Sequence, residues 1–121
     1  MTEIQNPKRY DLEERTFQFA KRVREFVKKL SRTIANIEDS RQLVNSSGSV
    51  GANYIEANEA LSKKDFLMRI KICRKEAKES RYWLKLVNID EKKALEQERD
   101  ILENEACELT HIFGSIVTKS G

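Results

Sequence analysis

More than half the circumference of the helix read between Asp39 and Leu61 is apolar or small, and such a helix cannot lie with one face in water. One side carries Leu43, Ser47, Val50, Tyr54, Ala57 and Leu61, and the other Val44, Gly48, Gly51 and Ile55. Both sides need cover, so the segment is expected to stand between neighbours. Gly48 and Gly51 each cost about 1 kcal/mol relative to alanine inside a helix, and close approach of a second helix is the expected offset.

The rest of the chain supplies those neighbours as three further amphipathic helices. The first is expected to open at Asp11, where Asp11 and Glu14 form a capping-box-like pair. Its stripe is Leu12, Phe19, Val23, Phe26, Leu30 and Ile34, spaced by steps of three, four and seven. A corner over residues 35–38 follows, with Asp39 or Ser40 capping the second helix. Ser62-Lys-Lys-Asp65 reads as a capping box that opens the third. The third helix repeats Phe66, Ile70, Cys73, Ala77, Ser80, Leu84 and Val87 in near-heptad register, beside a weaker stripe of Ile72, Trp83 and Leu86. After Asn88-Ile-Asp90, with Asp90 as cap, the fourth runs to about Val117 on Leu95, Leu102, Ala106, Leu109, Phe113 and Ile116. Gly114 is expected to mark fraying near its end.

Four glycines and one proline, against 36% charged residues, favour long helices with short corners, which makes the fold class all-α. A chain of 121 residues fills one core. Residues 1–10 read as a flexible N-terminal arm and residues 11–118 as one bundle domain. Corners of a few residues make an antiparallel up-down-up-down four-helix bundle the simplest topology. No apolar run reaches the roughly 18 to 20 residues of a membrane span, and Met1 to Tyr10 lack a secretory core, so a cytoplasmic protein without membrane contact is expected. The second side of helix two and the Ile72/Trp83 stripe remain to be covered, which points to a homo-oligomer.

Several spaced runs resemble one family. Asp11-Leu-Glu-Glu-Arg-Thr16, Ser49-Val-Gly-Ala-Asn-Tyr-Ile-Glu-Ala57, Ser62-Lys-Lys-Asp-Phe66 and Lys75-Glu-Ala-Lys-Glu-Ser-Arg-Tyr-Trp-Leu84 are similar to runs in bacterial four-helix-bundle proteins encoded within intervening sequences of 23S ribosomal RNA genes. The resemblance covers roughly residues 10 to 117. Some members carry Asn-Ile-Ala-Glu-Gly in helix two; here Asn53 and Glu56 are kept and Ala57 replaces the glycine, as in a Gly-Ala-Asn-Tyr variant subgroup. The resemblance implies a homopentameric ring of bundles, a non-enzymatic role and a link to RNA. A similar fold serves the accessory protein of diversity-generating retroelements, which binds nucleic acid and a reverse transcriptase, a likeness of fold alone.

Charge is uneven along the chain. Residues 63–85 hold nine bases (Lys63, Lys64, Arg69, Lys71, Arg74, Lys75, Lys78, Arg81 and Lys85) against three acids, a net +6, whereas residues 90–108 carry a net −5. One reading places Lys71, Arg74, Lys75, Lys78 and Arg81, together with Lys21, Arg24 and Lys28 of helix one, in a stripe that neutralises RNA or DNA phosphates. The other pairs these cations with acidic helix four. The overall charge of +3 and the lack of interleaved aromatics favour the second. For function, the leading expectation is a non-catalytic oligomeric bundle that binds a macromolecular partner, RNA or DNA first, and the alternative is a protein–protein assembly module with no direct nucleic-acid contact.

Other candidates have structural readings. Gly48, Gly51 and Tyr54 read as packing residues, and Ile72 and Trp83 as oligomer anchors. Asn53 and Glu56 read as a partly buried polar pair fixing helix register, with Arg69 or Arg74 as partner. Glu108-Leu-Thr-His111 has the Glu-x-x-His spacing of di-iron bundles, but His111 is the only histidine, so no metal is expected. Cys73 and Cys107 read as buried thiols. No nucleophile–base pair or phosphate-cradling loop is present, and neither an enzyme nor a cofactor is expected.

Overall fold

The computed structural model describes residues 7–120. Four helices follow in order: α1 (Pro7–Val27), α2 (Ile34–Asn58), α3 (Lys63–Leu86) and α4 (Lys93–Ser120), and no strand occurs among the described residues. α1 touches α2 and α4, and α3 touches the same two. The four therefore stand at the corners of a square, with α1 and α3 on one diagonal. The core is built from the predicted stripes: Phe19, Val23 and Phe26 from α1, Leu43 and Val50 from α2, Ile70, Cys73, Ala77 and Leu84 from α3, and Leu102, Leu109 and Phe113 from α4. Tyr54 and Phe113 meet across the middle with ring centroids 5.8 Å apart, filling the space between α2 and α4.

Element ends differ from expectation at the start of α1 and at the corners that follow α1, α2 and α3. α1 begins at Pro7 rather than Asp11, and proline suits a first turn whose amides have no helical acceptor. Of the expected arm, residues 1–6 lie outside the described residues, while residues 7–10 are helical. Glu14 is not a capping partner; its carboxylate accepts from Gln18 Nε2 at 2.8 Å, one turn along the exposed surface.

α1 also stops at Val27 and does not reach Ile34, which is 89% exposed. Thr33, not Asp39 or Ser40, caps α2: its hydroxyl accepts from the Asn36 amide at 3.1 Å. At the other end of α2, Leu61 falls beyond the helix and is 98% exposed rather than part of a buried side. Ser62 does cap α3, accepting from the Asp65 amide at 3.1 Å.

The α3–α4 corner is not capped by Asp90. Asp90 and Glu91 have φ of 58° and 59°, and the Lys92 amide bonds back to the Ile89 carbonyl at 3.1 Å, a tight turn with two left-handed central residues. Aspartate tolerates that conformation better than glutamate does, so Glu91 carries the strain. α4 runs through Gly114 to Ser120 without fraying there.

The α1–α2 and α3–α4 corners are tied by Asn36, which is 2% exposed. Its amide donates to the carbonyls of Ser31 and Asn88, both at 3.0 Å, and its carbonyl accepts from the Asn88 amide at 2.9 Å. The Ser31 hydroxyl also donates to the Asp90 carboxylate.

Candidate nucleic-acid interface

The two glycines of α2 face α1 and prove unlike each other. A Cβ at Gly51 would lie 2.9 Å from Thr16 Oγ1 and 3.2 Å from Thr16 Cβ, and Thr16 is itself buried with its hydroxyl bonded to Leu12 O at 2.7 Å. The helices approach at this point as closely as a missing side chain permits. A Cβ at Gly48 would meet only the end of the Arg24 guanidinium, at 3.3 Å.

On the α3 side, Ser46 and Ser80 share a buried hydrogen bond of 2.8 Å, and the Cys73 thiol donates to Val50 O at 3.4 Å. Burial pushes the Cys73 thiol up to about 12, against a lesser downward pull from its own backbone amide and from Arg69, so it stays protonated and unreactive. Cys107 is half-buried rather than fully buried.

Asn53 accepts from Arg69 Nη1 at 2.9 Å and donates to Ser49 O, so this polar pair joins α2 to α3. Glu56, expected to share that burial, is exposed. Tyr54 lies in the core, Ile72 is half-buried, and Trp83 packs against the core.

The cations sort into two groups. Lys28 pairs with Glu25, Lys75 with Glu76, and Arg81 with Glu103 of α4 at 3.8 Å. Arg24 turns back to Ala20 O at 3.0 Å, and Lys21 sits 5.7 Å over the Phe17 ring. Acidic α4 is therefore engaged from both neighbours: Arg15 bonds Glu105 at 2.8 and 3.0 Å and Glu108 at 3.1 Å, and Lys29 bonds Glu98. These pairs are partly or wholly exposed, and pairs of that kind contribute at most about 1 kcal/mol each. Lys71, Arg74, Lys78 and Lys85 are exposed and have no ion pair among the described residues.

Because α1 and α3 occupy a diagonal, their basic faces do not merge into the single stripe expected of them. Of the cations proposed for that stripe, Lys71, Arg74 and Lys78 on α3 have neither an ion pair nor the backbone or ring contact that Arg24 and Lys21 make on α1, among the described residues. Arg74 and Lys78 border an open groove of about 600 Å³ against α4, lined there by Thr110, His111, Gly114, Ser115 and Thr118. His111 thus sits at the rim among hydroxyls and cations. No group of three or more His, Cys, Asp or Glu side chains among the described residues could hold a metal ion, and none of these residues forms a helix long and apolar enough to cross a membrane.

One residue of this face escaped the sequence reading. Tyr82 is 57% exposed and lies with Lys78, Lys85 and Leu86 around a shallow hollow of about 360 Å³. The signal was available: 71, 75, 78, 82 and 85 advance by four, three, four and three, which puts Tyr82 in the same row as the lysines.

Residues 8–115 match the family described as 23S rRNA-intervening sequence protein. The chain belongs to this family. A crystal structure of a protein of unknown function, assigned to the S23 ribosomal protein family of Bacteroides thetaiotaomicron, is similar over 92% of this chain and 98% of that chain. Its TM-score is 0.76 and its identity 28%. No curated protein matches.

Proposed function

We propose that this chain is a non-catalytic, cytoplasmic helical-bundle protein that binds nucleic acid, RNA first, through the outer face of α3. The observation that carries the reading is the row of Lys71, Arg74, Lys78 and Lys85, exposed and without acidic partners among the described residues, beside a hydroxyl-lined groove against α4. Cations left unpaired by their own fold are free to replace the counterions of phosphates, and release of those counterions drives association. The bundle itself is read as antiparallel and up-down-up-down. That topology is supported by cross-helix pairs such as Asn58 with Glu13, Arg69 with Asn53 and Arg81 with Glu103, each joining the later part of one helix to the earlier part of its neighbour.

The test is salt dependence. Replacing Lys71, Lys78 and Lys85 with glutamate leaves the core untouched. Each lost phosphate contact should reduce the slope of log affinity against log salt by about 0.7 to 0.9, so three contacts change it by roughly two to three units. An unchanged slope with intact binding places the nucleic acid elsewhere.

A second reading, assembly through protein contacts, is favoured by a separate surface. Ile37, Val44, Gly48, Gly51 and Ile55 share the face of α2 that abuts α1, and Ile37, Ile55 and neighbouring Phe17 are 44, 53 and 58% exposed. An apolar seam of this kind suits a second copy of the chain, with five copies the number taken from the family resemblance. The two readings are compatible, since they use opposite sides of the molecule.

A further inference from the structure

We propose that the nucleic acid taken by the α3 face is single-stranded, with Tyr82 as the platform for one unpaired base and Lys78 and Lys85 holding the phosphates on either side. The inference rests on the nucleic-acid reading above and adds to it the class of ligand. Tyr82 stands four residues after Lys78 and three before Lys85, so the two ammonium groups are anchored about one turn, roughly 5 Å, to either side of the ring. The full row from Lys71 to Lys85 spans about 21 Å along the helix.

Tyr82 is exposed, yet its ring is held in place. Its ring meets Trp83 edge-on, with centroids 5.0 Å apart and planes at 77°, and Trp83 is packed against the core. A ring held in this way loses little freedom on binding, which makes it an efficient contact. Beside it, Leu86 adds apolar surface, being 49% exposed.

Duplex bases are already stacked on one another and offer the ring no free π-face. Unpaired bases do, whatever their sequence, and a cationic track interrupted by an aromatic is the pattern that holds single strands. The alternative occupant, a second copy of this chain, suits the hollow less well, because lysine is depleted from the cores of protein interfaces and two lysines border this ring.

The experiment measures binding of a short oligo(U) RNA and a blunt RNA duplex of matched length, at low salt, to the full chain and to Tyr82→Ala and Tyr82→Phe. Trp83 is the only tryptophan, and its emission reports a base arriving next to it. Expected are tighter binding of the single strand than of the duplex and quenching of Trp83 by the single strand. Tyr82→Ala should lose about 5- to 150-fold in single-strand affinity, with Tyr82→Phe near wild type and the duplex affinity almost unchanged. Light scattering and thermal melting should not distinguish the variants.

Equal binding of both RNAs, unaffected by Tyr82→Ala, overturns the stacking proposal and leaves the basic-face reading standing. A changed oligomeric mass in Tyr82→Ala assigns the ring to a chain–chain contact and overturns it as well. Binding of neither RNA at low salt overturns the basic-face reading and this proposal with it.

Discussion

At Asn36 three hydrogen bonds converge on one buried side chain, two donated and one accepted, and they join corners 52 residues apart in sequence. Alanine at this position leaves the Asn88 amide and two carbonyls without their partner in a partly buried corner. Each buried group left unsatisfied costs about 1 to 3 kcal/mol. Asn36→Ala should therefore destabilise the protein by about 2 to 4 kcal/mol, measured by urea denaturation. Asn36→Asp should cost at least as much, because a carboxylate would face the two carbonyl oxygens that the amide now bonds. A loss below about 0.5 kcal/mol in both variants would mean that the corners hold without the clasp.

At the scale of the helix, α2 makes opposite demands at two glycines that read alike in sequence. At Gly51 an added Cβ collides with Thr16, whose own atoms are fixed by burial and by its bond to Leu12 O. At Gly48 it meets the mobile end of Arg24. Gly48→Ala should raise stability by up to about 1 kcal/mol, the helix-propensity difference, since the guanidinium can swing aside. Gly51→Ala should lose stability despite the same propensity gain, and Gly51→Leu should lose about 1 to 3 kcal/mol or more. The cause is testable by a double-mutant cycle: Gly51→Ala should cost measurably less in a Thr16→Ala background, where Oγ1 is gone. Additive effects would remove Thr16 as the reason for that glycine.

For the whole molecule, the proposed assembly and the proposed nucleic-acid contact draw on different faces, so they predict separable losses. The apolar seam of Phe17, Ile37 and Ile55 should be covered in solution, and light scattering at micromolar concentration should give a multiple of the 14.1 kDa chain mass. Ile55→Lys should shift that mass toward the monomer while leaving nucleic-acid affinity per chain within a few-fold, apart from any avidity lost with the assembly. A wild-type mass near that of one chain would sink the assembly reading and leave the α3 face untouched.

The apolar periods by themselves determined four helices, their inward residues and the Ser62 cap, because burial on one stripe is imposed locally by a spacing of three and four. The cationic row on α3 was legible for the same reason, and Tyr82 belongs to that row by spacing alone. Only the tertiary structure decided which cations keep their charge free, since pairing of Arg81 with Glu103 or Arg15 with Glu105 depends on which helices stand side by side. Two corners were misread because their chemistry comes from elsewhere. Asn36, whose amide the Thr33 hydroxyl caps, is bonded to Asn88, and the two left-handed residues Asp90 and Glu91 lie in a turn that closes against the α1–α2 loop. Contacts across 52 positions leave no local pattern, so stripes and caps can be read along the chain while the clasp and the free charges exist only after the helices have packed.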